Sequence, residues 1–211
     1  ERIATEQSDI GVIVVEPLRH QEPENDFLKR VADIAKKIGA VLIFDEISIG
    51  WRLTIGGAHL VYGVHPDIAV FAKAMGNGFP CGAIIGTKNV MNSAQKTFIS
   101  STYWTDRVGS VAALATIKKM KKGRVPAHLK RIGNLIGAGW KTLAEKHNLD
   151  ITILGPEALV TFTLNYGEKS QALRTLFTQE MLARGYLAGA SVYVSYAHTE
   201  KHVKSYLKAA D

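Results

Sequence analysis

Three apolar runs of this chain each end on ionisable residues. Glu16 closes "IGVIVVE", Asp45 and Glu46 close "AVLIFDE", and Lys73 closes "DIAVFAK" just before the glycine-rich turn "MGNGFPCG". Lysine is rarely fully buried unless it is paired, so Lys73 at the end of a buried run asks for a chemical role. A desolvated lysine amine condenses with a carbonyl to form a Schiff base. A carboxylate fixed beside it can hold a pyridine nitrogen protonated. The glycines after Lys73 let the backbone turn sharply and leave room for a ligand.

The elements that must position these groups follow from periodicity. Ile10–Val15 reads as a buried strand ended by Glu16 and Pro17. Phe27, Leu28, Val31, Ile34, Ala35 and Ile38 recur at helical spacing, with Asn25 or Asp26 as N-cap and Gly39 as the stop. "AVLIFDE" is the next strand, which completes a βαβ unit and predicts a parallel pair. "DIAVFAK" and "GAIIG" supply two more strands. Continuous apolar runs fit a mostly parallel sheet with helices on both faces. Ligands of such sheets collect at the carboxyl ends of the strands, where Glu16, Asp45 and Lys73 fall.

After Ser100 the texture changes. Thr105 is expected to cap a helix running to about Met120, and Leu129 to Leu143 mark another. "ITILG" and "ALVTFTL" read as strands, Ala172–Leu182 as a helix, "SVYVSY" as a short strand, and Thr199 as the cap of a last helix. The predicted organisation is α/β over residues 1–120 and a small α+β domain over 121–211.

Several other readings fail. "VLIFDE" resembles the metal-binding strand of a P-loop ATPase, but "GAIIGTK" has the wrong spacing for the required phosphate loop. "GNGFPCG" is no dinucleotide fingerprint. "HTEKH" is not a zinc motif, and no metal site is expected. His59, Tyr62 and His65 read as loop structure, and Cys81, the only cysteine, as a small apolar filler. Of 211 residues, 46% are hydrophobic and 21% charged, which fits an ordinary soluble protein. The single cysteine excludes a disulfide framework and fits a cytoplasmic setting. No apolar stretch is long enough to span a membrane. The net charge of +7 is concentrated in Lys118–Arg131. It reads as a solvated helix end, with no nucleic-acid motif beside it.

A lysine amine and a ring-nitrogen carboxylate on neighbouring strands describe the protein side of a pyridoxal 5'-phosphate site. "VIVVEP", "VLIFDEISIGWR", "GVHPDIAVFAKAMGNGFPCGAIIG" and "SSTYWTDRVGSVAALATI" stand in the order and at about the spacing of class III aminotransferases, which are fold-type I enzymes of that cofactor. The resemblance covers nearly the whole chain. "DEISIGWR" followed by "GGAH", and "SYAHTEKHV", are similar to the glutamate-1-semialdehyde aminomutase branch.

The resemblance implies amino-group transfer between an amino donor and a carbonyl acceptor, in a homodimer with shared active sites. It matches Lys73 to the Schiff-base lysine, Asp45 to the pyridinium partner and Ile47 to a branched residue against the ring face. Ser48 stands where relatives often carry Gln or Met near the ring hydroxyl. Thr102 matches a threonine that binds the phosphate of the neighbouring subunit's cofactor, and Glu16 a glutamate near the substrate. After Thr102, Tyr103 and Trp104 replace the Ser-Gly-Asn-Pro of many relatives and are expected to reshape a substrate-facing wall. The family's N-terminal half is missing, and the ends at Glu1 and "LKAAD" read as cut. A racemase or decarboxylase on the same fold would share Lys73 and Asp45. A non-catalytic half that binds a partner chain is the alternative of another class.

Overall fold

The computed structural model describes residues 6, 9–102 and 105–211. They fall into two compact units. One holds the chain up to Leu18 with Pro23–Gly123, and the other holds Arg19–Glu22 with Arg124–Asp211.

The first unit is built on a four-stranded sheet in the order β1 (Val12–Val15), β2 (Val41–Asp45), β3 (Ile68–Phe71), β4 (Ala83–Gly86). The first three strands run parallel, in a register that sets Val15 beside Phe44 and Asp45 beside Val70. Their carboxyl ends therefore share one edge. β4 returns antiparallel to β3, with Ala83 beside Phe71. Helix α1 (Phe27–Ile38) links β1 to β2. It turns Leu28 and Ala35 into a cluster with Leu42 and Phe44, and Phe44 is wholly buried. Burial of a side chain of that size contributes about 2–3 kcal/mol. Gly39 ends the helix in the left-handed region at φ 72, and Lys36 and Lys37 face the negative end of its dipole.

Asp26 does not cap α1 through its side chain, as the sequence suggested. Asn25 and Asp26 both adopt positive φ, and backbone bonds from Phe27 N to Glu24 O and from Arg30 N to Asp26 O close the entry instead. A short helix, α2 (His59–Tyr62), precedes β3, and α3 (Lys88–Met91) follows β4. Helix α4 spans Val108–Gly123, not Thr105 to Met120. Asp106 Oδ1 accepts the Val108 N–H at 2.8 Å, so the carboxylate displaces Thr105 from the predicted start.

The two faces of this sheet differ. Leu42, Phe44, Ala69 and Phe71 are buried, the last two with Met75 and Ala113. Residues one position out of phase point the other way. On that face Val12, Val14 and Ile84 are 51%, 63% and 61% exposed.

In the second unit, helix α5 (Val125–Lys146) buries Leu129, Ile132, Ile136, Trp140 and Ala144 along one stripe. The antiparallel pair β5 (Ile151–Leu154) and β6 (Thr161–Leu164) packs on it, and helices α6 (Ser170–Ala183) and α7 (Glu200–Ala210) complete the unit. Gly133 admits the Glu157 backbone, since a Cβ there would fall 1.8 Å from Glu157 O. Trp140 meets Phe162 edge to face at 4.9 Å and donates to the Tyr206 hydroxyl at 2.8 Å. "SVYVSY" is not a strand. Ser191 forms only an isolated bridge to Thr161, while Val192 and Val194 bond to Val160 and Ala158 outside β6. Thr199 caps α7 in a capping box with His202.

Candidate active site

The turn that leaves β2 carries four of the residues in question, and its geometry is over-determined. Asp45 Oδ1 accepts the Ile47 N–H at 2.9 Å, and Gly50 N donates to Glu46 O at 2.7 Å. Gly50 is required here, because a Cβ would stand 2.6 Å from Glu46 O and 2.9 Å from the Phe71 ring. Ile49 is buried and anchors the turn. Arg52 Nε donates to Ser48 O at 2.7 Å. Asp45, Ile47 and Ser48 remain half-buried at the edge of the sheet.

Glu46, beside Asp45, is buried completely. Its carboxylate accepts the N–H of Ala58 at 2.8 Å, the N–H of His59 at 2.9 Å, and faces His59 Nδ1 at 2.9 Å. A buried carboxylate needs such donors, and three of them account for this one. It ties the "GGAH" turn to the end of β2. The sequence marks Glu46 as an ionisable strand end beside Asp45 and reads His59 as loop structure. The signal for their pairing was an acid at a strand end and a histidine after two glycines.

Lys73 lies two residues beyond β3, in a 3-10 turn over Lys73–Met75. Its φ is 44, a conformation that a residue with a Cβ adopts rarely. Gly76 N and Asn77 N both donate to Lys73 O, at 3.1 and 3.0 Å. Gly76 allows the turn to close, since a Cβ would meet Phe79 O at 2.5 Å, and Gly78 sits at φ 96. The Lys73 amine donates to Ser48 Oγ at 2.8 Å. Strands β2 and β3 thus bring Lys73 to the turn that carries Asp45. Lys73 is exposed, where the sequence suggested a buried amine, because it lies in the 3-10 turn beyond β3 and not on the buried strand itself.

Glu16 is half-buried at the end of β1, level with the residues after Phe44. Thr102 is exposed in the stretch before α4. Tyr103 and Trp104 lie outside the described residues. Cys81 packs beside Met75 and Ala113 as an apolar filler. No described group of three His, Cys, Asp or Glu side chains is placed to hold a metal ion. No described helix is long and apolar enough to cross a membrane.

The model of the family described as aminotransferase class-III matches residues 1–193. A glutamate-1-semialdehyde 2,1-aminomutase of Methanothermobacter thermautotrophicus is 32% identical over 96% of this chain and 53% of its own length. A 3-aminobutyryl-CoA aminotransferase of Cloacimonas acidaminovorans is 30% identical over 92% of this chain and 50% of its own. The chain thus spans about half the length of the curated relatives it matches. Among solved structures, the FumI protein of Sphingopyxis sp. MTA144 in its PLP internal aldimine form superposes with a TM-score of 0.89. It is 21% identical over 99% of this chain and 52% of that one, a likeness of fold.

Proposed function

This chain belongs to the class III aminotransferase family, and we propose that it carries the lysine-bearing half of a pyridoxal 5'-phosphate site for amino-group transfer. One observation carries the reading. An exposed amine is held by a neutral hydroxyl at the carboxyl edge of a parallel sheet, against the turn that presents Asp45.

The residues present fit the cofactor. The Lys73 amine has an open approach, and Asp45 commits one carboxylate oxygen to Ile47 N while the other has no partner among the described residues. When bound, pyridoxal phosphate supplies a carbonyl that condenses with amines and a ring that takes up the electron pair released at Cα. Lys73 would hold that carbonyl, and its amine would be placed to move a proton at the substrate's Cα as general base and acid. The free oxygen of Asp45 holds the ring nitrogen protonated. Ile47 would pack against the ring face, and Ser48 would stand near its rim. Glu16 faces the substrate.

Thr102, exposed in this chain, serves the phosphate of a neighbouring subunit in a homodimer. The residue types at Tyr103 and Trp104, in place of the Ser-Gly-Asn-Pro of many relatives, favour a donor and acceptor other than glutamate semialdehyde. The remaining contacts to the phosphate and ring come from protein beyond the half that this chain spans. The single cysteine supports a cytoplasmic setting.

The test is Lys73→Ala and Lys73→Arg. Both should abolish the absorbance that pyridoxal phosphate gains on the protein, and both should abolish turnover of an amino donor. Arginine fails because guanidinium stays protonated. Amino transfer at near wild-type rate in either variant would remove Lys73 from this role.

A further inference from the structure

We propose that Ser48 is a positioning residue for Lys73, its hydroxyl holding the lysine amine at the sheet edge in both protonation states. The proposal rests on the amino-transfer reading above and deepens it. Its observation is the 2.8 Å bond from Lys73 Nζ to Ser48 Oγ. Among the described residues, no carboxylate lies within ion-pair distance of that amine.

The chemistry of the partner decides what the contact can do. A carboxylate beside the amine would favour ammonium alone. A hydroxyl has one donor and two acceptor positions, so it accepts from the ammonium and donates to the neutral amine. An amine that must give up and regain a proton thus keeps its partner throughout. Neither change strands a counter-charge.

Both ends of the contact stand on fixed backbone. Arg52 on the Ser48 carbonyl, buried Ile49, and the Asp45 carboxylate on Ile47 N together lock the serine. Gly76 and Asn77 hold the lysine at φ 44, a costly conformation that persists where neighbouring contacts impose it. Between them the lysine side chain has several free rotors. The hydroxyl selects one placement of the amine, which is what proximity catalysis requires.

The test needs no turnover. The cofactor-free protein is methylated with formaldehyde and cyanoborohydride, and each lysine is followed by peptide mass spectrometry. In Ser48→Ala the freed Lys73 amine should react about three-fold faster, the scale of one modest hydrogen bond. Lys88, away from the site, serves as reference and should not change. Ser48→Thr, which keeps the hydroxyl, should match the wild type, and Ser48→Cys should follow Ser48→Ala. Pyridoxal phosphate with borohydride, run in parallel, should label Lys73 in every variant. Equal methylation of Lys73 in wild type and Ser48→Ala, with that label intact, overturns the role of Ser48 and leaves Lys73 standing. Absence of the label from wild-type Lys73 overturns the amino-transfer reading and this proposal together.

Discussion

The Glu46 carboxylate and the His59 imidazole meet at 2.9 Å with the glutamate side chain fully buried. The same carboxylate takes the backbone N–H groups of Ala58 and His59. One side chain therefore closes the loop that begins beside Asp45. Glu46→Ala would strand three donors inside the first unit, a loss on the order of 3–5 kcal/mol. Glu46→Gln keeps one acceptor oxygen and should lose less. Chemical denaturation checks both, and a midpoint for Glu46→Ala equal to that of the wild type would remove the clamp.

Gly57 makes room for the same pair. A Cβ there would fall 2.3 Å from His59 Nδ1 and 2.6 Å from Glu46 Oε1. Gly57→Ala should destabilise by about 1–3 kcal/mol through forced displacement of the imidazole. At Gly11 a Cβ would meet nothing within 4 Å, so Gly11→Ala serves as the control. Equal thermal midpoints for the two variants would contradict the close approach.

Asp45→Asn should leave Lys73 able to capture pyridoxal phosphate and should slow proton removal at the substrate's Cα. An amide cannot hold the ring nitrogen by charge, and losing one preorganised electrostatic partner costs on the order of a hundredfold. Borohydride labelling of Lys73 measures the first effect, and deuterium exchange at Cα the second. Unchanged exchange would take this role from Asp45.

The strands and α1 are legible in the sequence because burial writes itself as apolar runs and helical spacing. Leu42, Phe44, Leu28 and Ala35 meet as those patterns require. The direction of β4 is not legible. "GAIIG" carries no mark of orientation, and β4 is antiparallel because Ala72–Gly82 folds as a tight turn with no crossover helix. "SVYVSY" alternates like a strand, yet its partners are the irregular residues before β6, which a local pattern cannot name. Asp45 and Lys73 stand out by type and place. That Ser48 would receive the lysine amine depends on side-chain reach across two strands, which no spacing rule encodes.

Two groups should limit the second unit at opposite ends of the pH scale. Burial pushes the Tyr206 hydroxyl up to about 12, against the smaller opposing effect of the Trp140 N–H. The unfolded phenol ionises near 10. Its contribution is therefore full below about pH 10 and is lost between about pH 10 and 12, on the order of 2 kcal/mol. Tyr206→Phe should flatten that limb. Burial, then His202 and His128, hold His198 below its ordinary value of 6.5. Its Nδ1 accepts the Ser195 N–H at 3.0 Å, which requires that nitrogen bare. Stability is then present above pH 6.5 and falls as acid protonates the ring. His198→Asn keeps an acceptor without a titration and should flatten the acid limb. A denaturation series across pH reads both, and limbs unchanged in the variants would remove these groups as the cause.

The open face of the sheet sets the last expectation. Val14 and Ile84 are more than half exposed, on the face opposite Phe44 and Phe71, with Val12 beside them. Each apolar side chain of this size gains about 1.5–3 kcal/mol when covered, and contiguous exposed apolar surface marks an interaction site. β1 and β4 are also the edge strands of the four-stranded sheet among the described residues, and edge strands invite pairing with other chains. The 211-residue chain should therefore self-associate in solution, and Val14→Lys with Ile84→Lys should shift it toward monomer without touching the Ser48–Lys73 contact. Light scattering on both proteins, with borohydride labelling of Lys73 as the control for an intact site, decides. A wild-type chain that stays a monodisperse monomer would show that this face needs no cover.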